Sequence, residues 1–227
     1  MRVVALHGLP TGPRLFERLT VPLGWTLERP LVPGLGDAGT PDDWSLEWAA
    51  AELEAKHEVS SADALIGHDL GGVLAAMLAR PRQPVVLSGT ALGPYWTAIR
   101  ATAWPFVNRL FYHQYAGRLF LRNGALPEHR PGLAEAFADH GDGWAERMRR
   151  IAWAMKPPRA LGRKLRDGGN RVLCAWGRQD PWYPAFPVGR AVARASGAEL
   201  TLLEAGHFAP WEAPTGFSEA LAAHLGG

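Results

Sequence analysis

Apolar positions along the chain cluster into short runs, and the stretches between them carry helical rather than alternating spacing. The runs predict strands at Arg2–Leu6, Thr26–Leu31, Ala62–Gly67, Pro84–Ser88, Arg171–Trp176 and Glu199–Leu203. Between them, Trp44–Glu58 reads as an amphipathic helix opened by Pro41-Asp42-Asp43, and Leu70–Ala79 as a helix of small residues able to lie close against a sheet. Pro184–Ala195 and Trp211–Leu225 supply two more. Strands and helices in alternation predict an α/β architecture, a mainly parallel sheet with helices on both faces. No repeat and no low-complexity segment interrupts it.

The alternation breaks once, between Gly93 and about Asp167, where helical patterns follow one another without a strand. This predicts a core formed by residues 1–93 and 168–227, with residues 94–167 as a helical insertion. Charge divides along the same line: Pro94–Asp167 holds 13 Lys/Arg against 6 Asp/Glu, net +7, and the remainder 11 against 16, net −5. Opposite signs favour docking of the insertion on the core, although salt screens exposed charge.

Composition then narrows the class. With 227 residues, 47% hydrophobic and 20% charged, the chain can bury one sizeable core without disulfides or metals. The longest apolar runs are far short of the roughly 20 residues that cross a bilayer. The N-terminus shows no signal-peptide succession, so a cytoplasmic location is expected. The net charge of +2, without a long basic run, gives no nucleic-acid footprint. Cys174 has no intramolecular partner and sits in an apolar strand, as a buried core thiol would. Ten tryptophans belong either to the core or to an apolar pocket.

Candidate chemistry lies in Ala64-Leu65-Ile66-Gly67-His68-Asp69-Leu70-Gly71-Gly72, a strand, then Gly-x-Asp-x-Gly, then a helix. The glycines suit a sharp strand-to-helix turn that lifts residue 69 off the sheet beside the free N–H groups of a helix N-terminus. The plainer reading makes Asp69 only an N-cap. Two further signals weigh against that. Asp180 follows the fifth strand in Gly177-Arg178-Gln179-Asp180-Pro181, and His207 follows the sixth in Glu204-Ala205-Gly206-His207-Phe208. All three fall at the carboxyl edge of a parallel sheet, where α/β proteins bind ligands.

These motifs, together with His7-Gly8-Leu9-Pro10 after the first strand and Pro33-Gly34-Leu35-Gly36-Asp37 after the second, resemble the α/β-hydrolase superfamily from Arg2 to about Leu225. The resemblance implies a nucleophile–acid–histidine triad of Asp69, Asp180 and His207, with an oxyanion hole formed by the Leu9 and Leu70 amides. It implies that His7 shapes its loop and that the insertion is the family's cap. The family's N-terminal antiparallel strands have no counterpart here.

An aspartate at the elbow is similar to epoxide hydrolases and to haloalkane or haloacetate dehalogenases. A carboxylate is ionised at neutral pH and can displace at a saturated carbon, leaving an alkyl ester that a histidine-activated water hydrolyses. Dehalogenases of this kind follow the nucleophile with a halide-holding tryptophan or with arginine, whereas Leu70 stands there, and Leu9 replaces their side-chain amide. Epoxide hydrolases use cap tyrosines as acid donors, which points to Tyr95, Tyr112 and Tyr115, with Trp96, Trp104, Trp144 and Trp153 making an apolar pocket. Epoxide hydrolysis is therefore the leading expectation, on a small, largely apolar substrate with water as co-reactant and neither cofactor nor metal. Two alternatives stay open: a carboxylesterase relative whose elbow serine is replaced by Asp69, and a non-catalytic ligand-binding protein on the same fold. Oligomeric state is not readable.

Overall fold

Six strands, all parallel, form one sheet among the described residues. They are β1 (Arg2–Leu6), β2 (Thr26–Glu28), β3 (Ala64–His68), β4 (Val85–Ser88), β5 (Val172–Gly177) and β6 (Glu199–Leu203), in the spatial order β2-β1-β3-β4-β5-β6. This computed structural model describes residues 1–35, 40–92, 123–137, 144–155 and 160–226. Because every strand runs the same way, Leu6, His68, Ser88, Gly177 and Leu203 end at one edge of the sheet. The segments that follow β1, β3, β5 and β6 all start from that edge.

Successive side chains of each strand point to opposite faces, so each strand feeds two cores. Val4, Leu6, Leu65, Val85, Leu87, Cys174 and Trp176 face one side. There they meet α1 (Leu46–His57), α2 (Leu70–Leu78), α5 (Leu161–Asp167) and α6 (Arg190–Ser196). Val3, Ala5, Ile66, Val86, Leu173 and Ala175 face the other side. They pack with Phe16, α7 (Ala209–Glu212) and α8 (Pro214–Gly226). Cys174 is fully buried, and burial pushes its thiol up to about 12. No helix among the described residues is long and apolar enough to cross a membrane.

Three departures from the expected elements trace to proline. The edge strand β2 stops at Glu28 rather than Leu31, since Pro30 has no N–H to extend the ladder. The expected helix Pro184–Ala195 splits into a wide turn at Ala185–Gly189 and α6; Phe186, restricted by Pro187, sits at φ −122° and ψ 114°. Likewise Trp211–Leu225 is two helices, broken at Ala213 (φ −126°, ψ 57°) immediately before Pro214.

Within the inserted stretch, α3 (Arg130–Phe137) sends Leu133 into the core shared with α8. α4 (Trp144–Ala154) sends Met148, Ile151 and Ala152 into the opposite core. Burial rather than ion pairing docks these helices: Arg150 does pair with Asp42, but both are exposed, where such pairs contribute little. From α5, Lys164 Nζ donates to the carbonyls of Ala76, Met77 and Ala79 at 3.1, 2.6 and 3.1 Å, closing the C-terminus of α2.

Candidate active site

The turn from β3 into α2 is built by exclusion. A Cβ on Gly71 would lie 1.9 Å from the carbonyl oxygen of Leu6, and one on Gly67 would lie 2.5 Å from that of Gly71. With both positions bare, the start of α2 packs directly on β1. Asp69, between them, takes φ 53° and ψ −119°, a conformation that costs energy for a residue with a side chain. Its backbone is held on every side: its N–H donates to Ser88 at 3.1 Å, and its carbonyl accepts from the Gly72 N–H at 3.0 Å and the Thr90 hydroxyl at 2.7 Å. We expect Gly71→Ala to lower the unfolding free energy by about 3 kcal/mol, readable as a fall in the denaturant midpoint, because the clash is with backbone that cannot turn away.

Asp69 occupies the N-cap position of α2, yet its side chain makes no capping bond. The carboxylate turns the other way, and Oδ1 accepts the Leu9 N–H at 2.9 Å. The Leu70 N–H and the Tyr183 hydroxyl are nearby donors that favour its ionised form. Burial raises its pKa above the ordinary aspartate range, against the opposing pull of His207 and of those donors.

The loop that carries Leu9 is braced by His7. Its Nε2 accepts from the Val32 N–H at 3.0 Å, so the proton resides on Nδ1, which lies 3.1 Å from the Gly8 carbonyl. One imidazole thus ties the segment after β1 to the segment after β2.

Asp180 and His207 meet at the same edge. Oδ2 of Asp180 lies 2.9 Å from His207 Nδ1, while Oδ1 accepts the N–H groups of Trp182 and Tyr183, each at 2.9 Å. Asp69, Asp180 and His207 are only 7%, 3% and 1% exposed. Burial disfavours charge on His207, but Asp180, then Asp69 and Glu212, outweigh it and raise the pKa above the usual histidine range. Beneath His207 lies His68, ring centroid to ring centroid 4.8 Å, whose Nε2 donates to the His207 carbonyl at 3.1 Å. Burial, reinforced by His207, keeps His68 well below the usual range and therefore neutral.

The five residues expected from the sequence, Asp69, Asp180, His207, Leu9 and Leu70, therefore converge. Tyr95, Trp104, Tyr112 and Tyr115 lie outside the described residues. Trp153 is 55% exposed, so its ring faces solvent instead of adding to an apolar pocket. Two residues went unseen in the sequence. Tyr183 lies on the loop after β5; its N–H bonds Asp180, its carbonyl accepts Trp176 Nε1 at 2.7 Å, and its ring centroid is 5.4 Å from that of His207. Glu212, 5% exposed, accepts backbone N–H groups on both sides of His207. The available signal was only proximity in the chain, Tyr183 three residues after Asp180 and Glu212 five after His207.

A parallel sheet with this elbow, and an acid and a histidine following later strands, is the arrangement of an α/β hydrolase. Residues 3–220 match the alpha/beta hydrolase family, and the chain belongs to it. Among solved structures it is similar to a thermophilic esterase from Thermogutta terrifontis, with a TM-score of 0.79 and 18% identity over 99% of this chain and 89% of that one. It is also similar to an enol-lactonase from Burkholderia xenovorans LB400, with a TM-score of 0.78 and 17% identity over 100% and 91%. At those identities the likeness is one of fold. A curated relative, the dihydrolipoyllysine-residue acetyltransferase component of the acetoin cleaving system of Cupriavidus necator, is 29% identical over 192 residues. That match takes in 77% of this chain and 47% of the relative, so the chain spans about half the relative's length.

Proposed function

We propose that the protein is a hydrolase that works through a covalent alkyl ester on Asp69, acting on a small, largely apolar epoxide in preference to an alkyl halide. The observation that carries this reading is the bond from the Leu9 N–H to Asp69 Oδ1. In a serine esterase the paired amides must receive the carbonyl oxygen of the substrate. Here the carboxylate of residue 69 itself occupies one of those amides, which leaves an acyl substrate without its oxyanion site. An alkyl ester of Asp69 needs this same geometry, because its own carbonyl oxygen is the atom that becomes the oxyanion.

The proposed cycle has two steps. A carboxylate oxygen of Asp69 attacks a saturated carbon, the epoxide C–O bond breaks, and the oxygen released takes a proton from an acid donor of the cap. His207 then removes a proton from water, and hydroxide adds to the Asp69 carbonyl carbon while the Leu9 and Leu70 amides hold the oxyanion. Collapse expels the product alkoxide, which takes its proton from His207, and the carboxylic acid left at Asp69 returns its proton to the donor used in the first step, which restores the carboxylate. Asp180 holds the imidazole with its proton on Nδ1, so that Nε2 is the basic atom. Leu70 and Leu9 stand where halide-binding side chains would be expected, which favours the epoxide. The cap tyrosines Tyr95, Tyr112 and Tyr115 are proposed acid donors, with Trp104 beside them, in a cap formed by residues 94–167. The bonds from the His207 N–H to the Gly124 carbonyl and from the Leu126 N–H to Glu212 support placing that cap over the site.

Incubating the His207→Gln variant with styrene oxide, followed by peptide mass spectrometry, tests the reading. We expect the mass of one epoxide added to the peptide containing Asp69. An unmodified peptide after incubation with both styrene oxide and 1-bromobutane refutes the covalent mechanism.

A further inference from the structure

A buried carboxylate outside the proposed triad holds the backbone on which His207 sits. Glu212 Oε1 accepts the Phe208 N–H at 2.9 Å, and Oε2 accepts the Gly206 N–H at 3.1 Å and the Leu126 N–H at 2.7 Å. The N–H of His207 itself donates to the Gly124 carbonyl at 2.6 Å. Three consecutive amides, 206 to 208, therefore end on Glu212 or on Gly124 of the insertion. The loop after β6 has no strand beside it, and these acceptors stand in for one. Charge-assisted bonds of this kind are short and strong, and losing the acceptor leaves buried donors unmatched.

We infer that Glu212 is a positioning residue that locks the His207 loop to the Gly124–Leu126 segment within the insertion, and so governs hydrolysis of the covalent intermediate but not its formation. The inference rests on the alkyl-ester reading, in which only the second step uses His207. Displacing His207 by a fraction of an ångström leaves Asp69 on its elbow, with Leu9 still bonded to it, free to attack. The water, however, loses its base.

Glu212 also acts by charge. The groups facing His207 are Asp180 and Tyr183 from the loop after β5, Asp69 and neutral His68 from β3 and its turn, and Glu212 from α7. Burial raises the pKa of Glu212 itself, opposed by its three amide donors and by His129. Where it is ionised, it favours the protonated form of His207. Removing its charge lowers the pKa of His207, and the acid limb of turnover moves to lower pH.

The test compares Glu212→Gln with wild type on styrene oxide. In a two-step covalent mechanism, slowing only the second step lowers kcat and KM together and leaves kcat/KM unchanged. We expect kcat to fall about tenfold, consistent with loss of well-aligned general-base catalysis, with kcat/KM within twofold of wild type. The Asp69 ester should accumulate during turnover, and the acid limb should shift downward. A residue that merely supports folding would lower kcat and kcat/KM equally without accumulation, and that result overturns the inference, as does an unchanged kcat. Leu126→Pro keeps the test decisive if Glu212→Gln does not fold. Leu126 already has φ −58° and ψ 143°, which proline accepts, and the substitution deletes only its N–H bond to Glu212. The same split is expected from it, about threefold in size, and an unchanged kcat/KM with unchanged kcat counts against the link to the insertion. An adduct in His207→Gln with normal turnover in both variants defeats this inference alone, whereas no adduct in His207→Gln defeats the underlying reading.

Discussion

Asp69→Ser is expected to exchange one chemistry for another. Epoxide turnover should fall by on the order of 10⁴-fold or more, the scale seen when a nucleophile is removed from a preorganised site. A serine hydroxyl cannot displace at an unactivated saturated carbon without being deprotonated first, and its product would be an ether that no step here can hydrolyse. The same substitution shortens the side chain and withdraws Oδ1 from the Leu9 amide, which it accepts at 2.9 Å in the wild-type protein. The oxyanion site then opens to a substrate carbonyl, with His207 and Asp180 already paired at 2.9 Å behind it. Hydrolysis of p-nitrophenyl acetate should rise above the wild-type rate as styrene oxide hydrolysis disappears. The reverse ranking, with ester turnover stronger in wild type and surviving Asp69→Ala, would assign the protein to the esterase-derived alternative.

Much of this arrangement was legible because the candidate residues sit where secondary structure changes. Arg2–Leu6 and Glu199–Leu203 coincide with their strands because apolar runs bounded by Gly or polar turns leave little freedom in where a strand ends. Asp69, Asp180 and His207 each follow such a strand, so knowing that the sheet is parallel is enough to gather them at one edge. The boundaries that missed furthest were those governed by proline, at Pro30, Pro187 and Pro214, where hydrophobic periodicity continues but a missing N–H or a crowded preceding residue stops the element.

What could not be read is of a different kind. The neighbours of Tyr183 and Glu212 depend on how loops close in three dimensions. In the sequence, Glu212 looks like an ordinary acid in the first turns of a long helix. Only the break before Pro214 shows it to belong to a four-residue helix, α7, that points it back beneath His207. Trp153 illustrates the converse: aromatic and carried by the insertion, it matched a pocket residue in type, yet the register of α4 buries Met148, Ile151 and Ala152 and leaves Trp153 outside.

Asp180→Asn should stop the cycle after its first step. Oδ1 of residue 180 accepts the Trp182 and Tyr183 amides, and an asparagine oxygen can keep both bonds. Its NH₂ group is then turned towards His207 Nδ1, where wild type has an acceptor at 2.9 Å. A donor there requires a bare Nδ1, which moves the proton to Nε2 and removes the base from the side that faces water. Hydrolysis of the ester is expected to fall by about 10³- to 10⁴-fold. Formation of the ester, which needs only Asp69, should persist, so quenched reactions should contain nearly stoichiometric adduct. The pH dependence carries the sign. Wild-type His207 has a raised pKa, and the neutral form proposed as the base is lost as pH falls through it; with Asp180 uncharged its two raising contributions are gone and that limb moves to lower pH. Asp69 contributes as well. Its negative charge raises the His207 pKa in the resting enzyme, and esterification neutralises that charge. Formation of the intermediate therefore pushes His207 towards the neutral form its hydrolysis requires, and the acid limb of kcat should lie below that of an unalkylated His207 titrated by NMR.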